Sequence, residues 1–206
     1  MEVFSIAILL FSFLLLLSIG TPVAWSIIIS SLFTLFVSIP FLPALTTISQ
    51  RMATGIDSFA LLAIPFFILS GELMNSGGVA QRLVAFAKSL VGFLPGGLAL
   101  INIISAMLMG SVAGSAMASA SAMGSILGPE MEKEGYSKGF GVAVNITSAT
   151  TGLVIPPSNI LIVYSLASGG ASIAALFLAG YIPGILTGLF LMIVAMSWAK
   201  KKNLKT

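Results

Sequence analysis

The chain has 206 residues, 58% hydrophobic and 7% charged, with a formal net charge of +3 and neither cysteine nor histidine. Soluble globular domains do not have that composition, so an integral membrane protein is expected. The missing cysteines and histidines exclude a disulfide framework, thiolate and imidazole metal sites, a histidine proton relay and a Ser-His hydrolase.

Val3–Ile19 and Val23–Ile39 are apolar runs joined by Gly20-Thr21-Pro22. Together they have about twice the length of one bilayer crossing, which favours two helices turning at Gly-Thr-Pro over one long kinked helix. Met1-Glu2-Val3 lacks the basic start of a secretory signal, so the first run reads as a retained helix. Pro40–Thr54 reads as a loop carrying Arg51, with Asp57 opening the next element. Phe59–Met74 reads as a span kinked at Pro65, ending at Asn75-Ser76-Gly77-Gly78. In Val79–Phe93, Gln81, Arg82, Lys88 and Ser89 share one side of a helical wheel. Val79, Leu83, Phe86, Leu90 and Val91 take the other side, the pattern of an amphipathic helix at the membrane interface.

After Pro95-Gly96-Gly97 come two apolar arms, Leu98–Met109 and Ala116–Leu127, flanking Gly110-Ser111-Val112-Ala113-Gly114-Ser115. Each arm reaches roughly 18 Å, short of a bilayer core of about 30 Å. A re-entrant hairpin is expected, with its non-helical tip buried in protein or lining a wet cavity. Pro129–Lys138 is a charged loop, and Phe140–Ser168 is a span interrupted at Pro156-Pro157. The prolines strip the carbonyls of Gly152 and Leu153 of their helical donors, and Ser158 can cap a new half-helix, Asn159–Ser168. Free carbonyls suit a hard cation, and a half-helix N-terminus suits a carboxylate. Ser172–Ala199 is a last long crossing that ends in Lys200, Lys201, Lys202 and Lys205.

If residues 76–97, 129–138 and 200–206 are cytoplasmic, Arg51 is the one of nine basic residues left outside. That satisfies the positive-inside rule, places Met1 outside and makes the lysine cluster a topology anchor rather than a nucleic-acid surface.

The spans carry neutral oxygen donors instead of an acidic relay: Ser111, Ser115, Asn145, Thr147, Ser148, Thr150, Thr151, Ser158 and Asn159. Such donors favour sodium over proton coupling in a secondary transporter built on discontinuous helices. Blander readings stand beside this one. Gly110 and Gly114 can serve helix packing, Pro156-Pro157 can be a plain kink, and Asn145 and Asn159 can be interhelical hydrogen bonders. Glu72 can be an interfacial group. An intramembrane protease is a poor fit, since the spans hold no paired acids.

As an ordered set, several motifs resemble the large membrane subunit of tripartite ATP-independent periplasmic (TRAP) transporters. They are Ile64-Pro65-Phe66-Phe67, Gly71-Glu72-Leu73-Met74, Leu94-Pro95-Gly96-Gly97, the tip sequence 110–115, Glu134-Gly135-Tyr136 and Gly152–Ser158. The resemblance implies an all-α, multi-pass protein of the bacterial inner membrane. It also implies a sodium-driven importer of organic acids such as dicarboxylates or sialic acids, without other cofactors, working elevator-fashion. The implied partners are a small four-helix membrane subunit and a periplasmic substrate-binding protein. Carried onto this chain, the sodium site draws on Ser111, Gly114, Ser115, Asn145, Gly152 and Pro156. Thr151, Ser158 and Asn159 lie toward the substrate carboxylate.

On this scheme residues 1–57 are scaffold-type helices, and 58–97 a span plus an amphipathic arm. Residues 98–168 are transport-domain (hairpin 98–127, broken helix 140–168), and 169–206 the last span and basic tail. Family members are roughly twice as long because a second, inverted repeat supplies another hairpin and broken helix. The chain is therefore expected to be an N-terminal half or fragment that needs the second half of the large subunit. Two rivals are an elevator-type anion or ion permease without a binding protein, and a non-transporting scaffold subunit.

Overall fold

The computed structural model describes residues 2–57 and 59–202; Met1 and Lys205, used above to argue topology, lie outside the described residues. Among the described residues all regular elements are helical, and the chain forms two compact units that meet in sequence at Phe59 and Ala60.

In the first unit, α1 (Glu2–Ser18) and α2 (Val23–Ser38) are separate helices. The Gly20 amide bonds the Leu17 carbonyl at 3.0 Å and the Thr21 amide bonds the Leu16 carbonyl at 3.1 Å, which closes α1. The hydroxyls of Ser5 and Ser38 lie 3.4 Å apart, so the two helices run antiparallel. The expected loop at 40–54 is instead a helix, α3 (Phe41–Ile56). Pro40 and Pro43 occupy the cap and the first turn, where a missing N–H costs no helical bond. Asp57 closes α3 rather than opening the next element.

The second unit begins with α4 (Phe59–Ser76), which contains Pro65, and α5 (Val79–Val91). The amphipathic helix forms. Ala80 and Ala87 are fully enclosed, while Phe86 and Leu90 stay about half exposed. Alanines let the α5 backbone approach α6 closely; Leu83, Val84 and Val91 complete that contact.

Gly96 caps α6 (Gly97–Ala113), and Ser115 caps α7 (Ala116–Lys133). The two pack as a helical hairpin, with the Ser119 hydroxyl donating to the Ala106 carbonyl at 3.0 Å. Two boundaries differ from expectation. The helix continues through 110–113, so the turn is only Gly114-Ser115 and α6 is about 25 Å long. Pro129 sits inside α7, and Glu130, Glu132 and Lys133 are helical rather than loop.

α7 ends in a Schellman motif that accounts for Glu134-Gly135-Tyr136. Gly135, at φ 86°, donates to the Glu132 carbonyl, and the Tyr136 amide donates to that of Met131 at 3.0 Å. The Tyr136 ring then packs in one cluster with Met131, Leu100 and Ile103.

The second discontinuity is α8 (Lys138–Ala149), a 3₁₀ turn at Thr150–Leu153, an irregular stretch, and α9 (Asn159–Ala167). Helical pairing thus loosens at Thr150, before the prolines are reached. Last comes α10 (Ile173–Lys201), which at 29 residues is, among the described residues, the single helix long and apolar enough to cross a membrane by itself. The apolar α1, α2 and α6 have 16 or 17 residues, near the lower limit for a crossing.

Candidate functional site

The turn of the hairpin docks on the break of the second helix. Gly110 and Gly152 meet backbone to backbone: a Cβ added to Gly110 would lie 2.3 Å from the Cα of Gly152, and the reverse substitution gives 2.5 Å. Four residues on, Gly114 has φ +59°, which only glycine adopts freely. A Cβ there would stand 3.1 Å from the Pro157 carbonyl oxygen and 3.5 Å from the Asn159 amide nitrogen. The turn is thereby placed on the N-terminus of α9.

Ser158 holds the break open. Its hydroxyl donates to the Leu153 carbonyl at 2.5 Å and accepts from the Leu161 amide at 3.4 Å, bridging the end of the 3₁₀ turn to α9. The expected cap is present, and one of the freed carbonyls has found a donor. Ser158 is fully buried, whereas Asn159 next to it is half buried. The Asn159 Oδ1 is enclosed without a hydrogen-bond partner. An unpaired buried oxygen costs about 1–3 kcal/mol, which a bound cation or donor would recover.

The remaining residues singled out from sequence divide into two groups. Gly114, Gly152 and Asn159 converge where turn meets break; Pro156 flanks it, buried with its ring toward α10. Thr151 is buried nearby, with its hydroxyl turned back to the Ser148 carbonyl at 2.6 Å. Ser111 likewise bonds within its own helix, to the Leu108 carbonyl at 2.8 Å. Asn145 lies along the arm: its Nδ2 donates to the Ala120 carbonyl at 2.8 Å, and its Oδ1 is enclosed without a partner. Ser115 accepts from the Ala118 amide at 3.3 Å and lines a cavity with residues of α4 and α5.

Sequence reasoning missed the wall behind the break. Gly180, Gly184 and Gly188 form one buried stripe on α10. A Cβ at Gly180 would fall 2.4 Å from the Val154 carbonyl oxygen, and one at Gly184 2.4 Å from Cγ1 of Ile155. The four-residue spacing of the glycines was the available signal. Asn102 was missed too; fully buried on α6, it accepts from the Ser148 hydroxyl at 3.2 Å. Chemically, turn and break assemble neutral oxygens and a helix N-terminus, a set able to hold a hard monovalent cation or to orient a carboxylate.

The sequence profile of the tripartite ATP-independent periplasmic transporter DctM component matches residues 10–206. The chain belongs to the DctM family. Among relatives of this DctM chain, protein YgiK of Salmonella typhimurium is 55% identical over 201 residues, covering 98% of this chain and 46% of the relative. The isethionate TRAP transporter permease protein DctMQ of Oleidesulfovibrio alaskensis is 40% identical, covering 94% and 30%. The sialic acid TRAP transporter large permease protein SiaM of Vibrio cholerae is 39% identical, covering 96% and 45%. The chain therefore spans less than half the length of these curated relatives. Family membership makes it a membrane protein, and the named relatives of known role are transporter permeases.

Proposed function

We propose that this chain supplies one hairpin and one broken helix of a sodium-coupled secondary importer of organic acids. The observation that carries the reading is the docking of the Gly114 turn on the α9 N-terminus, beside the unpartnered Oδ1 of Asn159. Ser111, Gly114, Ser115, Asn145, Gly152 and Pro156 form the region that takes sodium; Thr151, Ser158 and Asn159 lie toward the substrate. Ser158 acts there through the shape of the break, since its hydroxyl is already engaged by backbone.

The hairpin is re-entrant from the cytoplasmic side of the inner membrane, and it moves with the broken helix in an elevator cycle. The rest of the large subunit, a small membrane subunit and a periplasmic binding protein complete the machine. The names of relatives, for isethionate, sialic acid and C4-dicarboxylate, support organic acids as the substrate class.

The test is uptake by the complete transporter in proteoliposomes, with those three acids as the panel and sodium or potassium outside. Sodium-dependent accumulation that collapses in Asn159→Leu is the expected result. Accumulation indifferent to sodium, or unaffected by that substitution, overturns the reading.

A further inference from the structure

A cavity of about 510 Å³ lies on another side of the hairpin, walled by α4, α5, α6 and α7. Toward it α7 turns Ala118, Ser121, Ala122 and Ser125, spaced three and four apart as one helix face. Ala120 and Gly124, which meet Asn145, belong to a different face. The cavity is thus separate from the contact between turn and break, yet it reaches the same turn. Ala113 and Ser115 line it, and Gly71 of α4 packs against Ala113, where a Cβ on Gly71 would stand 3.2 Å from that of Ala113. Glu72 is the next residue along α4 and also lines the cavity.

The lining is chemically one-sided. Its polar groups are the Glu72 carboxylate, the carboxamides of Asn75 and Gln81, and the hydroxyls of Ser115, Ser121 and Ser125. Glu72 is the one acidic residue between positions 59 and 129, and neither basic residue of that stretch, Arg82 or Lys88, lines the cavity. A single negative charge among neutral oxygens repels an organic acid and draws a monovalent cation. A like-signed cleft with low-dielectric walls raises local counter-ion concentration by about 10 to 10³.

From this lining we infer that the cavity is the approach by which the coupling cation reaches the turn, with Glu72 as the attracting charge and Ser115 at its inner end. The Ser115 oxygen accepts one hydrogen bond, from the Ala118 amide, and retains a second lone pair for a passing ion. The inference rests on the sodium-coupled reading above and adds to it a cation route and a residue that serves it.

The experiment is a calorimetric sodium titration of the complete transporter at constant ionic strength, with choline as the replacement ion. The cumulative heat of binding tracks occupancy, so the midpoint of the rise reports affinity and the plateau reports an intact site. Glu72→Gln is expected to raise the half-saturating sodium concentration about tenfold with the plateau unchanged. Glu72→Asp should stay near the parent, and Gln81→Lys, which adds a positive charge to the same cavity, should behave like Glu72→Gln.

An unchanged midpoint in Glu72→Gln and Gln81→Lys, with the parent still sodium-dependent, overturns the cation route and leaves the sodium-coupled reading standing. Loss of the plateau in Glu72→Gln and Glu72→Asp alike also overturns it, because Glu72 would then support the structure. A parent that ignores sodium removes both readings together.

Discussion

The two units of this chain are both helical and apolar but are held together differently. In the α1–α3 unit nearly every side-chain hydrogen bond is local: Ser12, Ser26, Thr34 and Thr46 all return to a carbonyl three to five residues back. Such bonds satisfy a hydroxyl without choosing a neighbour. In the second unit polar side chains reach across 13, 25 and 46 residues, from Ser119, Asn145 and Ser148, and glycines let backbone rest on backbone. A shared apolar surface brings helices together with little preference for one register. Long-range polar bonds and close backbone contacts at glycines select a single arrangement. A unit that must present a turn to a break at fixed spacing needs the second kind of cohesion.

That contrast can be broken at defined points. Each unit carries one tryptophan, Trp25 or Trp198, so single-tryptophan variants report their unfolding separately in a detergent titration. Gly152→Val should have the largest effect, since its side chain must displace the Gly110 backbone. Overpacking of that kind costs about 3 kcal/mol, and the Trp198 transition should shift while that of Trp25 stays in place. Equal shifts in both would mean that the units are not independent.

Asn102→Leu leaves the Ser148 hydroxyl without its cross-helix acceptor and should cost about 1–3 kcal/mol in the same transition. Ser158→Ala removes the cap of α9 and the donor to Leu153. A loss of about 1–2 kcal/mol is expected, with faster amide exchange at Asn159–Leu161 as the confirming measurement.

The phenol of Tyr136, in the turn after α7, offers a pH-dependent handle. Burial pushes its pKa above the usual phenol value; the Ala99 backbone opposes this and the nearby Glu134 charge adds to it. The unfolded chain releases this proton near pH 10 while the folded chain keeps it, so stability of the second unit should fall as pH rises past about 10 and be flat below. Tyr136→Phe should remove that part of the alkaline slope. The smallest effect is expected in the first unit, where Thr34→Val loses a bond within its own helix and should change stability by less than about 0.5 kcal/mol.

Much of the fold was legible because its signals are local. Gly20 ending α1, the turn at Pro95-Gly96-Gly97 before α6, and Ser158 reopening a helix after two prolines each depend on residues a few positions apart. The failures share a cause. Pro40–Thr54 and Pro129–Lys138 read as loops, yet α3 and α7 run through them; a proline's effect depends on where the helix around it begins, which distant packing decides. On α5 the wheel marked a polar and an apolar side for the membrane interface but not Ala80 and Ala87, which the protein encloses because small side chains allow close backbone approach to α6.

The candidate site was legible as a list of oxygens and not as a geometry. By residue type alone, Asn145, Ser115 and Asn159 are all neutral oxygen donors. In the structure one spans two helices, one faces a separate cavity, and one stands at the contact between turn and break.

The sequence by itself determined that this is a helical membrane protein with two interruptions, because composition, the Pro156-Pro157 pair and capping residues act over a few positions. Only the tertiary structure decided that the interruptions meet. That depends on Gly110 facing Gly152 across the 41 intervening residues and on α10 presenting glycine where Val154 and Ile155 need room. No local propensity encodes such a contact; it exists because excluded volume lets two backbones touch only where neither carries a side chain.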